Sequence, residues 1–109
     1  MPFDEHLAER VRKLLKKQEG LAEKKMFGGV CFLIYGNMCC GVEKFNLMVR
    51  VGSDKYEKLL KMAHVRPMDF TGRPLKGFIY IDPKGLQSSS QLKKWLTHGI
   101  NFALTLPKK

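Results

Sequence analysis

The sequence predicts an α+β domain, with one antiparallel sheet carrying helices on one face. Three observations lead there. Apolar residues recur at helical spacing at the start, in the middle and at the end of the chain. Between them lie two groups of short runs with period-two patterning, punctuated by glycine-containing turns. The chain is 109 residues long, which suits a single domain over residues 1–109. The expected element order is α-β-β-β-α-β-β-α.

Each element has its own signal. Leu7, Val11, Leu14 and Leu15 share one face of a first helix from Asp4 to Glu19, with Phe3 just ahead. Asp4 and Glu5 suit its N-terminus, Lys16 and Lys17 its C-terminus, and Gly20 follows as a stop. A three-stranded meander follows between Met26 and Val51. Val30–Tyr35 reads as one strand, Gly36-Asn37 as a tight turn, and Met38–Val42 as the second strand. After a turn at Glu43-Lys44, Phe45, Leu47, Val49 and Val51 alternate with Asn46, Met48 and Arg50 as a half-buried strand.

Ser53 is placed to cap a second helix reaching Ala63 and burying Tyr56, Leu59, Leu60 and Ala63. Two short strands, Met68-Asp69-Phe70 and Phe78–Ile81, are joined by Thr71–Gly77. A serine of the 88–90 run caps the last helix, with Leu92, Trp95, Leu96, Phe102, Ala103 and Leu106 facing inward. Gly99 in that stripe suits a close approach to a neighbour, and Pro107 closes the element.

Composition narrows the function classes. Hydrophobic residues at 44% and charged residues at 28% are globular usage, which argues against a disordered chain. No apolar run approaches the ~20 residues needed to cross a bilayer, so no membrane association is expected. The opening residues, Met1 to His6, lack the apolar core of a secretion signal, and the expected compartment is the cytoplasm. Three cysteines clustered between Cys31 and Cys40 read as reduced thiols.

No motif specifies catalysis or a cofactor. Cys39 and Cys40 lie in a strand, where alternation sends one side chain to the core and the other toward solvent. Neither a C-x-x-C pair nor a histidine pair is present, and His6, His64 and His98 fall on different elements, so no metal is expected. Asp69 and Asp82 could face each other across the last hairpin; local turn and strand-end bonding is the preferred account of both. A small cysteine- or carboxylate-dependent enzyme is therefore a remote alternative.

Charge is the stronger signal. The formal net charge of +10 favours polyanionic partners. Arg12, Lys13, Lys16 and Lys17 on the first helix are candidate anion or nucleic-acid contacts. Lys24 and Lys25, ahead of Gly28-Gly29, and Arg73 and Lys76 in a glycine-containing turn complete that set. No G-x-x-x-x-G-K-[ST], G-x-G-x-x-G, helix-turn-helix or RNP signature accompanies them.

Several strings resemble the N-terminal domain of the TfoX/Sxy family. They are Lys25-Met26-Phe27-Gly28-Gly29-Val30, then Gly36-Asn37-Met38 with Gly41-Val42, and Val49-Arg50-Val51-Gly52. The stretch from Arg66 to Gly77, RPMDFTGRPLKG, is the most specific, followed by Trp95, Phe102-Ala103 and Leu106-Pro107-Lys108. The likeness runs from about residue 7 to the end.

The resemblance implies a compact α+β domain with a secretion-chaperone-like fold, often a homodimer. It also implies a link to natural competence, where longer members with a second, C-terminal domain act as positive regulators of transcription. This chain reads as the first domain standing alone, and the resemblance brings no catalytic set. The expectation is a non-enzymatic, cytoplasmic regulatory or interaction domain, homodimeric, working through a protein or nucleic-acid partner. Direct, mainly electrostatic binding of DNA or RNA is the alternative.

Overall fold

The computed structural model describes residues 3–26, 28–69 and 74–108. It is α+β, with one antiparallel sheet of six strands in the order β1-β2-β3-β4-β6-β5. Helix α1 spans Glu5–Leu15, and strands β1 to β4 follow as Leu21–Met26, Gly29–Ile34, Asn37–Glu43 and Asn46–Arg50. Helix α2 is Ser53–Leu60, β5 is Val65–Asp69 and β6 is Pro74–Ile81. A 3-10 turn at Pro83–Leu86 leads into α3, Ser89–Leu104.

The sheet has one strand more than the sequence announced. β1 is built of Leu-Ala-Glu-Lys-Lys-Met, which are mostly helix formers, and Ala22 to Lys25 are exposed. Its strand conformation comes from antiparallel pairing with β2, from Leu21 opposite Ile34 to Met26 opposite Gly29. The stretch Lys16–Gly20 serves this edge strand. α1 therefore stops at Leu15, with Lys16 as C-cap, and does not reach Glu19.

The helices and the sheet share one core. Leu7, Val11 and Leu15 of α1, Tyr56 and Leu59 of α2, and Leu92, Trp95 and Leu96 of α3 pack on Val30, Phe32, Leu47, Val49, Ile79 and Ile81. Strand alternation leaves Cys31, Met48, Met68 and Tyr80 as a smaller buried cluster on the other face, with Met38 and Phe78 beside it. Leu14 of α1 and Phe45 in the β3–β4 turn are exposed, contrary to their expected core roles. Ala63 is exposed as well, because α2 ends at Leu60.

Termini and turns follow local chemistry. Asp4 accepts from the backbone N–H groups of His6 and Leu7 at the start of α1. Ser88 and Gln91 form a reciprocal capping box at the start of α3. α2 has no such cap: Gly52 is its N-cap residue and Ser53 is already helical. The β2–β3 hairpin turns at Tyr35 and Gly36, both with positive φ, and Asn37 belongs to β3. The buried side chain of Asn37 donates through Nδ2 to the carbonyl of Pro107 at 2.9 Å, which ties the C-terminal segment to the sheet.

Register overturns the expected split of Cys39 and Cys40 and also excludes the less favoured facing arrangement of Asp69 and Asp82. Phe32 pairs with Cys40 but Leu33 with Met38, so Cys39 is an extra residue on β3 at that step. The bulge turns Cys39 and Cys40 into the same helix-side core, both fully buried. Asp69 pairs with Pro74 while Val65 pairs with Ile81, which puts Asp69 and Asp82 at opposite ends of the β5–β6 hairpin. They do not face each other.

Candidate functional site

The basic residues singled out from the sequence occupy several surfaces. Lys13, Lys16 and Lys17 are exposed on α1 and just beyond it. Arg12 is engaged: Nε and Nη2 donate to the Glu23 carboxylate at 2.9 and 2.8 Å, and Nη1 donates to Glu9 at 2.6 Å. Those bonds raise the Arg12 pKa further and draw the Glu23 carboxyl below its ordinary value, chiefly through their mutual hydrogen bond. Lys24 and Lys25 are exposed on successive positions of β1, and so point to opposite faces of the sheet edge. Lys76 is exposed on β6, four strands from β1, or about 19 Å at ordinary strand spacing. Arg73 lies outside the described residues.

The thiols are built into the interior. Burial and the nearby Glu43 carboxylate push the Cys31 thiol pKa up. The Cys40 thiol is pushed well up, first by its hydrogen bond with Cys39 and then by burial. All three are free and buried, and at Cys31 and Cys40 the raised pKa opposes the thiolate that a nucleophile needs. Asp82 accepts from Arg66 Nε at 2.7 Å, and the Arg66 guanidinium also lies over the Tyr80 ring at 5.4 Å. Among the described residues no group of three His, Cys, Asp or Glu side chains is disposed to hold a metal.

A cleft of about 350 Å³ lies where α2 begins and α3 ends. Val51, Gly52 and Phe102 form its inner part, while Ser53, Asp54, Lys55, Asn101 and Thr105 are exposed around it. Gly52 has φ +84°, and a Cβ there would come within 2.5 Å of the Phe102 ring. The backbone can thus pass under the aromatic only as glycine. Arg50 lies 5.2 Å from the Phe102 ring centroid and 5.5 Å from that of Phe78, bracing the same corner.

Continuing along α3 from this cleft, the helix presents Thr105 at its C-cap, then Asn101, His98 and Lys94 at spacings of four, three and four. Residues so spaced share one face of a helix. His98 is half-buried against Trp95, ring centroids 5.6 Å apart, and Lys94 Nζ lies 5.3 Å from the Trp95 ring centroid. The His98 imidazole titrates below its ordinary value. Burial contributes most, followed by the positive charges of Lys55, Lys94 and Lys58. Cations from α2 and α3 thus act on the same imidazole, and Lys55 lines the cleft together with Asn101 and Thr105 of α3. The ion pairs among the described residues involve none of these three lysines.

Sequence reading missed this convergence. The stripe on α3 was visible in residue spacing, but Lys55 and Lys58 are remote in sequence and meet it only in the fold. The family profile described as TfoX N-terminal domain matches residues 13–103. No curated protein and no solved structure gives a significant match.

Proposed function

The chain belongs to the TfoX N-terminal domain family, and from that premise we propose that it is a non-enzymatic regulatory domain. It acts in competence or transcription control by binding a macromolecular partner, as a cytoplasmic homodimer. The observation that carries this reading is the family match across residues 13–103. The side chains support it: the thiols put forward for chemistry are buried, and Asp82 is committed to Arg66. No helix among the described residues is long and apolar enough to cross a membrane. The two sheet edges, β1 and β5, are available for pairing with a second copy.

Deleting the gene in its host and measuring transcripts of DNA-uptake genes tests the proposal. A fall that a plasmid-borne copy restores is expected. Unchanged transcripts, or turnover of a phosphoester, thioester or peptide substrate that a Cys39, Cys40 or Asp69 substitution abolishes, would overturn it. Sedimentation at micromolar concentration tests the dimer, and a mass of one chain would refute that part.

A further inference from the structure

We propose that the strip between α2 and α3 is a track for the phosphodiester backbone of a nucleic acid. Lys55 and Lys58 line one side, and Lys94, His98, Asn101 and Thr105 the other. The inference deepens the partner-binding reading above, on which it rests, by naming the partner's chemistry and the surface that meets it.

Geometry and charge favour an extended polyanion. From Lys94 to Thr105 the stripe runs about 16 Å at the helical rise per residue. A nucleic-acid strand advances about 3.4 Å per phosphate along the duplex axis, so the stripe matches roughly five steps. On the α3 side one cation, Lys94, is followed by the neutral hydrogen-bonding groups of His98, Asn101 and Thr105, and α2 adds the cations Lys55 and Lys58, a mixture suited to backbone phosphates. Lys55, Lys58 and Lys94 are exposed and outside the ion pairs described, so contact with phosphate breaks no existing pair. Asp54 lines the same cleft as Lys55, Asn101 and Thr105 and is the one carboxylate among its lining residues. The net charge of +10 adds long-range attraction for any strand that approaches. An acidic protein segment would meet the same lysines, but its carboxylates carry no fixed repeat to fit a regular line of donors.

The test uses a fluorescein-labelled 20-base-pair duplex of random sequence, followed by anisotropy at 50 and 200 mM salt. Wild-type protein is compared with a triple variant, Lys55→Gln, Lys58→Gln and Lys94→Gln. A second triple on α1, Lys13→Gln, Lys16→Gln and Lys17→Gln, is the comparison. Losing three phosphate contacts makes the slope of log affinity on log salt shallower by about 2.7. The first triple should therefore lose about 40-fold less affinity than wild type between the two salts. The α1 triple should keep a slope within about one of wild type.

A second readout is the His98 imidazole, followed by proton NMR. Phosphates set among the lysines should raise its pKa when the duplex binds. Absence of wild-type binding at 50 mM salt, equal slope losses in both triples, or an unmoved His98 would each overturn the proposal. So would a polyglutamate peptide that binds as tightly as the duplex and loses affinity in the first triple. Failure here with the transcript response intact removes the track and leaves the regulatory reading standing. Track-dependent binding with unchanged transcripts does the reverse.

Discussion

Replacing Gly99 with alanine should destabilise the protein, although alanine is the better helix former. A Cβ at Gly99 would lie 2.6 Å from the carbonyl oxygen of Cys39, 3.0 Å from Cys39 Sγ and 3.2 Å from Val49 Cγ1. Comfortable contact between such atoms is about 3.5 Å or more. The closest atom is backbone, so it cannot rotate away. α3 must instead lift by nearly an ångström from β3 and β4, on which it packs. Overfilling a packed core costs typically about 1–3 kcal/mol, and a rigid neighbour argues for the upper part of that range. Helix propensity returns about 1 kcal/mol. The net loss is about 2 kcal/mol, which at an m-value near 2 kcal/mol/M lowers the urea midpoint by about 1 M.

Urea titration followed by Trp95 fluorescence measures this directly. Thr97→Ala is the control. It lies exposed on the same helix, its hydroxyl donates back to the Lys93 carbonyl at 2.8 Å, and its replacement should gain up to about 0.7 kcal/mol. A Gly99→Ala midpoint equal to or above wild type would refute the close approach of α3 to the bulged strand.

Three further predictions follow from the same packing. Arg12→Gln should cost at most about 1 kcal/mol at pH 7, since both partners are partly exposed. Because Arg12 depresses the Glu23 pKa, that contribution is present above the ordinary value of 4.5 and disappears as pH falls through the folded-state pKa. Urea midpoints of the variant and wild type should thus converge at low pH, and a gap that persists there would contradict the pair. Native protein should release no thiol signal with Ellman's reagent at pH 8, and three equivalents in guanidinium, because Cys31, Cys39 and Cys40 are buried; rapid native labelling would be inconsistent with the bulge. Asn37→Ala should cost about 1 kcal/mol and speed trypsin cleavage after Lys108, by releasing the carbonyl of Pro107. Unchanged cleavage would show that the bond does not hold that segment.

What could be read from the sequence was whatever is set locally. The stripe of Leu92, Trp95 and Leu96 with a serine cap ahead of it specified α3 because cap and period act within a few residues. Gly99 was legible as a point of close approach for the same reason. β1 was not legible, since Ala22, Glu23, Lys24 and Lys25 carry no strand pattern and owe their conformation to β2. The fate of Cys39 and Cys40 was hidden in the register with β2, where a single extra residue reverses the alternation rule. The meeting of Lys55 and Lys58 with His98 needed the placement of α2 beside α3, which neither helix encodes alone.

The strand order also bears on how the chain reaches its folded state. β1, β2, β3 and β4 pair with their neighbours in sequence, so four of the six strands come together through short loops. β6 joins β4 only across the whole segment 51–77, with β5 left on the outside. Closing that loop costs about 2 kcal/mol more chain entropy than a two-residue hairpin. Destabilising changes in β2 and β3, at Val30 or Phe32, should therefore appear mainly as slower folding. Those in the β5–β6 hairpin should appear mainly as faster unfolding. The late-joining hairpin then sets how long a folded molecule lasts, while the meander sets how soon one forms.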